Sequence, residues 1–233
     1  METHSALVVG ACGGIGRAIS TQLAKDGWQI LAHGRDDGKL QATKQAVEQV
    51  GGVCTTFSAD LSDPTGVTQL AEWANTQSGF SAVVWTAGGG KSVDSGPDAL
   101  EEWQRTLAVI LHAPMRLVGL TLPVLKQRQG SYLFIAGMYA KIGMSRMAAH
   151  CAGRHGLEGF CKALFEEVRE DGVSVTLLHP GFVFSPLSNL ERLDPEKMIQ
   201  TEDIAAMVSL AINMPVQTCV CEMVVRPQRS PYR

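Results

Sequence analysis

The chain has little charge of either sign to spare: 20 Lys and Arg against 23 Asp and Glu leave 233 residues with a net charge of −3. So balanced a chain, with no basic run, offers no electrostatic case for nucleic acid or an anionic membrane, and neither is expected as a partner. Aromatic residues are also scarce, at 6% of the chain with only three tyrosines. None of the six cysteines (Cys12, Cys54, Cys151, Cys161, Cys219 and Cys221) stands in a CxxC pair, so buried structural thiols are expected and no metal site. Cys219 and Cys221, expected to open a strand, share one face at spacing i, i+2, which leaves a metal pair conceivable there alone. No internal repeat or Pro/Gly/Ser-rich linker divides the sequence, which implies one domain over 1–233. The N-terminal METHSALVVGACGG turns glycine-rich after one short apolar run. It reads neither as a secretory leader nor as a membrane span, and a cytoplasmic location is expected.

What is present is an alternation of short apolar runs and amphipathic stretches from end to end. Strands are expected near 5–10, 28–33, 53–58, 81–86, 130–136, 173–179 and 221–225. Helices are expected near 14–26, 36–50, 64–78, 98–127, 147–171 and 202–213. Runs such as Ala82-Val83-Val84-Trp85 and Tyr132-Leu133-Phe134-Ile135 are apolar throughout, as strands buried on both faces require. Strict alternation then implies an α/β fold, a Rossmann-type doubly wound parallel sheet, with ligands at the carboxyl ends of its strands.

The first strand runs into Gly10-Ala11-Cys12-Gly13-Gly14-Ile15-Gly16-Arg17 and then an apolar-periodic helix. Glycines let the backbone turn tightly and approach a phosphate closely, while the free N–H groups and dipole of the helix start favour the anion. After the second strand comes His33-Gly34-Arg35-Asp36-Asp37. An acidic residue at the strand end would bind the adenosine ribose hydroxyls; Gly34 stands there instead, and Arg35 beside it attracts a 2′-phosphate. NADP(H) is therefore expected over NAD(H), unless Asp36 and Asp37 pair with Arg35 in a helix-capping cluster.

With these residues in place the chain resembles the short-chain dehydrogenase/reductase family over essentially its full length. The family's Thr-Gly-x-x-x-Gly-x-Gly loop corresponds to Val9 followed by Gly10, Gly14 and Gly16. Its adenine-contacting Asp corresponds to Asp60 followed by Leu61, its Asn-Asn-Ala-Gly stretch to Trp85-Thr86-Ala87-Gly88, and its Pro-Gly turn to Pro180-Gly181-Phe182-Val183. The resemblance thus implies cofactor contacts at Gly10, Cys12, Gly14, Ile15, Gly16, Arg35, Asp60, Leu61, Ala87, Gly88, Arg154, Pro180, Gly181 and Val183. The usual catalytic set is a tyrosine acid/base, a lysine that tunes it and holds the ribose, a serine that orients the carbonyl and a supporting asparagine. The corresponding positions hold His150, Arg154, Gly137 and Ile110. None of Tyr132, Tyr139 and Tyr232 has a lysine four residues on, so a shifted alignment does not restore the pattern.

His150 and Arg154, at i and i+4, share a helical face and can point together at a cofactor. An imidazole can protonate an alkoxide, although a guanidinium one turn away disfavours the acid form, so reduction by this route would weaken as pH rises. Tyr139, two residues past Gly137, is a compensating hydroxyl candidate. His155 is expected to face away from His150, and Lys91 to be a solvated loop residue. Three readings follow: an NADP(H)-dependent oxidoreductase with an unusual proton donor, a catalytically silent nucleotide-binding partner subunit, or a non-redox isomerase or lyase using His150. By resemblance the two long helices would pair copies into a homodimer or homotetramer, with Met115, Leu117, Leu120, Phe160, Leu164 and Phe165 either core or interface. The segment from Phe182 to Gln200, with Leu187, Leu190 and Met198, corresponds to the family's substrate lid and suggests a small-molecule substrate of partly apolar character.

Overall fold

The computed structural model describes residues 4–185, 188 and 190–233. Its centre is a seven-stranded parallel sheet ordered β3-β2-β1-β4-β5-β6-β7. The strands are β1 Ser5–Val9, β2 Gln29–Gly34, β3 Cys54–Ser58, β4 Phe80–Trp85, β5 Ser131–Ile135, β6 Ser174–Pro180 and β7 Glu222–Val225. The intervening helices are α1 Gly14–Lys25, α2 Asp37–Gln49, α3 Pro64–Asn75, α4 Leu100–Leu107, α5 Ala113–Arg128, α6 Ala148–Val168 and α7 Thr201–Ile212. The doubly wound sheet matches the expectation, and every strand and helix falls within a few residues of its expected place.

Side chains alternate across each strand, and the two sets enter two separate cores. In β1, Leu7 and Val9 pack with the inner faces of α3, α5 and α6, while Ala6 and Val8 pack with α1, α2 and α7. All five residues of β1 and all six of β4 are buried, which is why these strands read as unbroken apolar runs. β1 pairs with β2 on one side and β4 on the other, so the connections from β1 and β4 leave in opposite directions. A crevice opens at that point, beyond the strand ends.

The long helix expected over 98–127 is interrupted. A 3-10 turn at Pro97–Ala99 leads into α4, and a π-helical turn, Ala108–His112, separates α4 from α5. Pro114 lacks the N–H that would bond the Ile110 carbonyl, which accounts for the widened turn. By length and composition the run Pro97–Arg128 is apolar enough to cross a membrane. Here Thr106, Ile110, Leu117, Val118, Thr121 and Leu125 form its buried inner face. Of the six residues left open between core and interface, Leu117 and Leu164 are core, Phe160 and Phe165 lie partly buried at its margin, and Met115 and Leu120 are exposed.

The cysteines need correction. Only Cys54 and Cys161 are buried; Cys12, Cys151 and Cys219 are partly exposed and Cys221 is exposed. β7 begins at Glu222, so Cys219 and Cys221 lie ahead of the strand, where the alternation argument does not reach. Among the described residues no cluster of three His, Cys, Asp or Glu could hold a metal ion.

Candidate active site

Two cavities of about 460 and 360 Å³ lie along the carboxyl edge of the sheet and share Gly88 as a lining residue. The larger is bounded by Gly10, Cys12, Arg35, Asp60, Leu61 and Ala87, which come from the loops after β1, β2, β3 and β4. The smaller is bounded by Ile15, Gly137, Tyr139, His150, Arg154 and the Pro180-Gly181-Phe182-Val183 turn. Every expected site residue except Gly14 and Gly16 lines one or the other.

Those two glycines act from behind. A Cβ at Gly16 would come within 2.3 Å of the Gly10 carbonyl oxygen, and one at Gly14 would touch the Thr201 methyl at 3.5 Å. Gly10 itself has φ +90°, a left-handed conformation, and the space a Cβ would occupy there is taken by Thr86 Oγ1 and the Ala87 backbone. Gly13 at the N-cap of α1 brings no capping side chain, so the helix start faces the larger cavity as bare backbone. These features fit a pyrophosphate: a cradle that only glycine fills, beside N–H groups aligned with a helix dipole.

Arg35 is exposed at the rim. The competing cluster does not form: Asp36 caps α2 by accepting from the Lys39 N–H at 3.0 Å and lies 3.8 Å from the Lys39 ammonium. Gly34 has a reason of its own, because the thiol of Cys12 fills the space over it; a Cβ would lie 2.2 Å from Cys12 Sγ. Asp60 accepts from the Ser62 N–H at 2.9 Å, and that bond above all holds its carboxyl below the usual range. Thr86 is a residue the sequence did not single out: its hydroxyl reaches the Val9 carbonyl at 2.9 Å and the Gly10 carbonyl at 3.1 Å, tying the end of β4 to the glycine loop. A threonine directly after a buried strand was the available signal.

In the smaller cavity the His150 ring meets Tyr139 edge-on, with centroids 4.8 Å apart. Burial, and then the charge of Arg154, push the imidazole down to about 4, so it is neutral at pH 7. Its Nδ1 is buried without a hydrogen-bond partner among the described residues. Tyr139 is pushed up from the ordinary phenol range, chiefly by burial, and holds its proton. Gly137 contributes no side-chain donor, and its φ of +69° with ψ 176° is a conformation that side chains other than glycine's rarely adopt.

Arg154 lies in the expected place but is otherwise engaged. Nη1 donates to the Ile135 carbonyl at 2.7 Å and Nη2 to the Gly88 carbonyl at 3.1 Å, so the fork clamps the end of β5 to the loop after β4. It is 5% exposed, and burial brings it down to about 10, still charged at neutral pH. Ile110, buried in the π turn, packs beside it: a Cβ at Gly88 would meet Arg154 Nη2 at 2.5 Å and Ile110 Cγ1 at 3.4 Å. His155 is exposed and bonds the Cys151 carbonyl through Nδ1, away from the cavity. Lys91 lines the larger cavity, and its N–H donates to Glu102 Oε1 at 3.0 Å. In the lid, Val183 pairs with Ile199, Met198 is buried and Leu190 is exposed; Leu187 lies outside the described residues.

A parallel doubly wound sheet with a glycine cradle at its switch point defines a dinucleotide-binding α/β protein. The short chain dehydrogenase family profile matches residues 4–196, and the chain belongs to that family. An uncharacterized oxidoreductase of Staphylococcus saprophyticus is 26% identical over 97% of this chain and 98% of its own. Retinol dehydrogenase 5 of Mus musculus is 29% identical over 80% of this chain, which spans 59% of that longer protein. Among solved structures, a metagenomic short-chain oxidoreductase in complex with NADP is 27% identical, with TM-score 0.84 over 97% of this chain and 98% of that one. An actinorhodin polyketide ketoreductase with NADPH, at 23% identity and TM-score 0.87, has the same fold.

Proposed function

We propose that the chain is an NADP(H)-dependent oxidoreductase acting on a small, uncharged, partly apolar alcohol or carbonyl compound, with an atypical set of catalytic residues. The carrying observation is the pair of adjoining cavities along the strand ends, one floored by the glycine cradle and rimmed by Arg35, the other holding His150. Gly10, Cys12, Ile15, Asp60, Leu61, Ala87 and Gly88 would hold the adenosine and pyrophosphate half, and Pro180, Gly181 and Val183 the nicotinamide end. The bound cofactor supplies hydride transfer; the protein supplies position and the proton.

Proton handling falls to His150, the group in the smaller cavity that is neutral at pH 7 and carries a basic nitrogen. At pH 7, three units above its folded value, only about one imidazole in a thousand is protonated. It is therefore present as the base that alcohol oxidation needs, though a weak one, and the imidazolium that would protonate an alkoxide is scarce. Ile142 and Met144 at the mouth, with Tyr139 and Phe182, make an apolar lining. Nη1 and Nη2 of Arg154 are spent on the Ile135 and Gly88 carbonyls, while its Nε is buried without a partner among the described residues, so the preference for neutral substrates rests on the apolar lining.

The clamp formed by Arg154 also favours a second reading, a nucleotide-binding protein without turnover, because that guanidinium is committed to the backbone. Fluorescence titration with NADPH and NADH tests binding, and a panel of apolar secondary alcohols and ketones tests chemistry in wild type and His150→Ala. Turnover with NADP+ that drops at least a hundredfold in His150→Ala supports the first reading. Binding with no turnover on the panel supports the second, and absence of nucleotide binding removes both. Self-association through α5 and α6, where Met115 and Leu120 are exposed, and a cytoplasmic location complete the proposal.

A further inference from the structure

The assignment of His150 as base leaves one question of geometry: what holds its ring. The imidazole is buried, yet Nδ1 has no hydrogen-bond partner among the described residues, an arrangement that costs about 1–3 kcal/mol. Nδ1 is the buried nitrogen, so the ring meets the substrate cavity by its other edge. Beside Nδ1 lies a small space set by Gly90. A Cβ built there would stand 3.4 Å from His150 Nδ1 and 2.9 Å from Thr106 Oγ1, so both polar atoms border the same gap. Thr106, on α4, is 4% exposed, and its hydroxyl donates to Glu102 Oε1 at 3.3 Å. Glu102 also accepts the Lys91 N–H, and that bond is the main cause holding its carboxyl below the ordinary value, so it remains a carboxylate.

We propose that Thr106 is a positioning residue for His150, linking Nδ1 across the gap at Gly90, through one water, to the carboxylate of Glu102. The direction of each bond follows from the donor inventory. Glu102 can only accept, so Thr106 spends its one proton on it and accepts a hydrogen bond from the water; the carboxylate polarises the chain toward itself, so the cooperative direction has Nδ1–H donating to that water. Nδ1 then carries the hydrogen and Nε2 the lone pair, which is the tautomer a base facing the cavity needs. If an alcohol were oxidised here, its O–H proton would pass to Nε2 while the carbon-bound hydrogen would leave as hydride to the bound NADP+, and the imidazolium so formed would gain a carboxylate three hydrogen bonds away. The other groups facing His150 oppose or ignore this charge: Arg154, one turn along α6, repels it, and Tyr139 stays neutral. A side chain at position 90 would fill the gap and cut the link, which gives that loop glycine a purpose.

This inference rests on the oxidoreductase reading for its chemistry, but not for its test. Nitrogen-15 NMR of the imidazoles at pH 7, with His150 assigned by its loss in His150→Gln, reads the tautomer with no substrate or turnover. In wild type, His150 should be the Nδ1–H tautomer. Thr106→Val, which keeps shape and removes the hydroxyl, should scramble the tautomers and lower the proton affinity of His150 about tenfold; Thr106→Ser should restore both. Glu102→Gln should lower the affinity. If turnover is found, the acid limb of kcat/KM should move with these shifts. An Nε2–H tautomer in wild type, or identical His150 spectra in wild type and Thr106→Val, would overturn the link. A link seen by NMR in a protein without turnover would uphold it and remove the oxidoreductase reading alone.

Discussion

Arg154→Ala separates two roles for the most deeply placed cation in the site. If the guanidinium chiefly held a nucleotide ribose, its loss would weaken NADPH binding and leave the free protein as stable as before. The structure argues the reverse, because both terminal nitrogens bond the carbonyls of Ile135 and Gly88. A hydrogen bond to a charged donor is worth about 1.5–3 kcal/mol, and two are lost together. Against this, a buried cation with no carboxylate partner carries a desolvation cost of several kcal/mol that the alanine removes. The orphaned carbonyls border the cavities and regain some water, while the vacated space forfeits packing against Ile110. A net loss of ~2 kcal/mol follows, or roughly 4–8 °C in melting temperature for a domain of this size. Thermal and urea unfolding of the nucleotide-free protein measures it. An unchanged or raised stability, with NADPH affinity reduced tenfold or more, would refute the clamp and return Arg154 to the ribose.

Arg35→Asp should reverse the coenzyme preference, costing NADPH about 10- to 100-fold in Kd while NADH gains, since charge-assisted bonds to a 2′-phosphate are worth about 1.5–3 kcal/mol; paired titrations at fixed ionic strength decide it. Gly34→Ala should cost about 1–3 kcal/mol by forcing a Cβ against Cys12 Sγ, and Cys12→Ala should relieve most of that cost in a double-mutant cycle. Gly137→Ser should destabilise by about 1–3 kcal/mol and fail to raise activity, because φ +69° is a conformation serine reaches only under strain. His33 and His150 are both held at about 4, chiefly by burial. Between pH 4 and 6.5 the unfolded chain binds protons that the folded chain does not, so stability is full above 6.5 and falls with acid, by up to ~1.4 kcal/mol per pH unit for each imidazole. Urea midpoints at pH 7 and 4.5 should differ, and less so in His33→Gln/His150→Gln.

Much of the fold was legible because burial on both faces writes itself as unbroken apolar runs, as in β4 and β5, and because Gly10 and Gly16 stand where no other residue fits. Placement of the site followed from the fold, since loops at strand ends in a parallel sheet must converge. What could not be read was engagement. Arg154 on the same helical face as His150 was expected from spacing, but whether its fork meets a ligand or the backbone depends on Gly88 and Ile135, 66 and 19 residues away. The thiol of Cys12 over Gly34, 22 positions apart in the chain, was hidden for the same reason. The π turn could have been anticipated from Pro114, which withdraws a donor from a long apolar helix. Cys219 and Cys221 were misjudged because β7 begins only at Glu222, although the Cys221 carbonyl already accepts the Leu177 N–H.

The four positions that correspond by resemblance to the family's catalytic set, Ile110, Gly137, His150 and Arg154, cluster about one cavity. Ile110 brings an aliphatic group into the π turn beside Gly88, leaving no side-chain partner there for a polar network. Arg154 then satisfies the Gly88 carbonyl from the other side, and in doing so fixes the same loop that carries Gly90. Gly90 lies in front of His150 Nδ1, and Gly137, with its positive φ, lines the same cavity as Tyr139, His150 and Arg154. Replacing one of these residues with its family counterpart therefore meets surroundings shaped by the other three. A lysine at 154 offers a single point charge where two carbonyls, on different strand ends, await a planar fork. On the proposed reading, the chemistry of the site is therefore to be tested at His150 together with the residues that surround it.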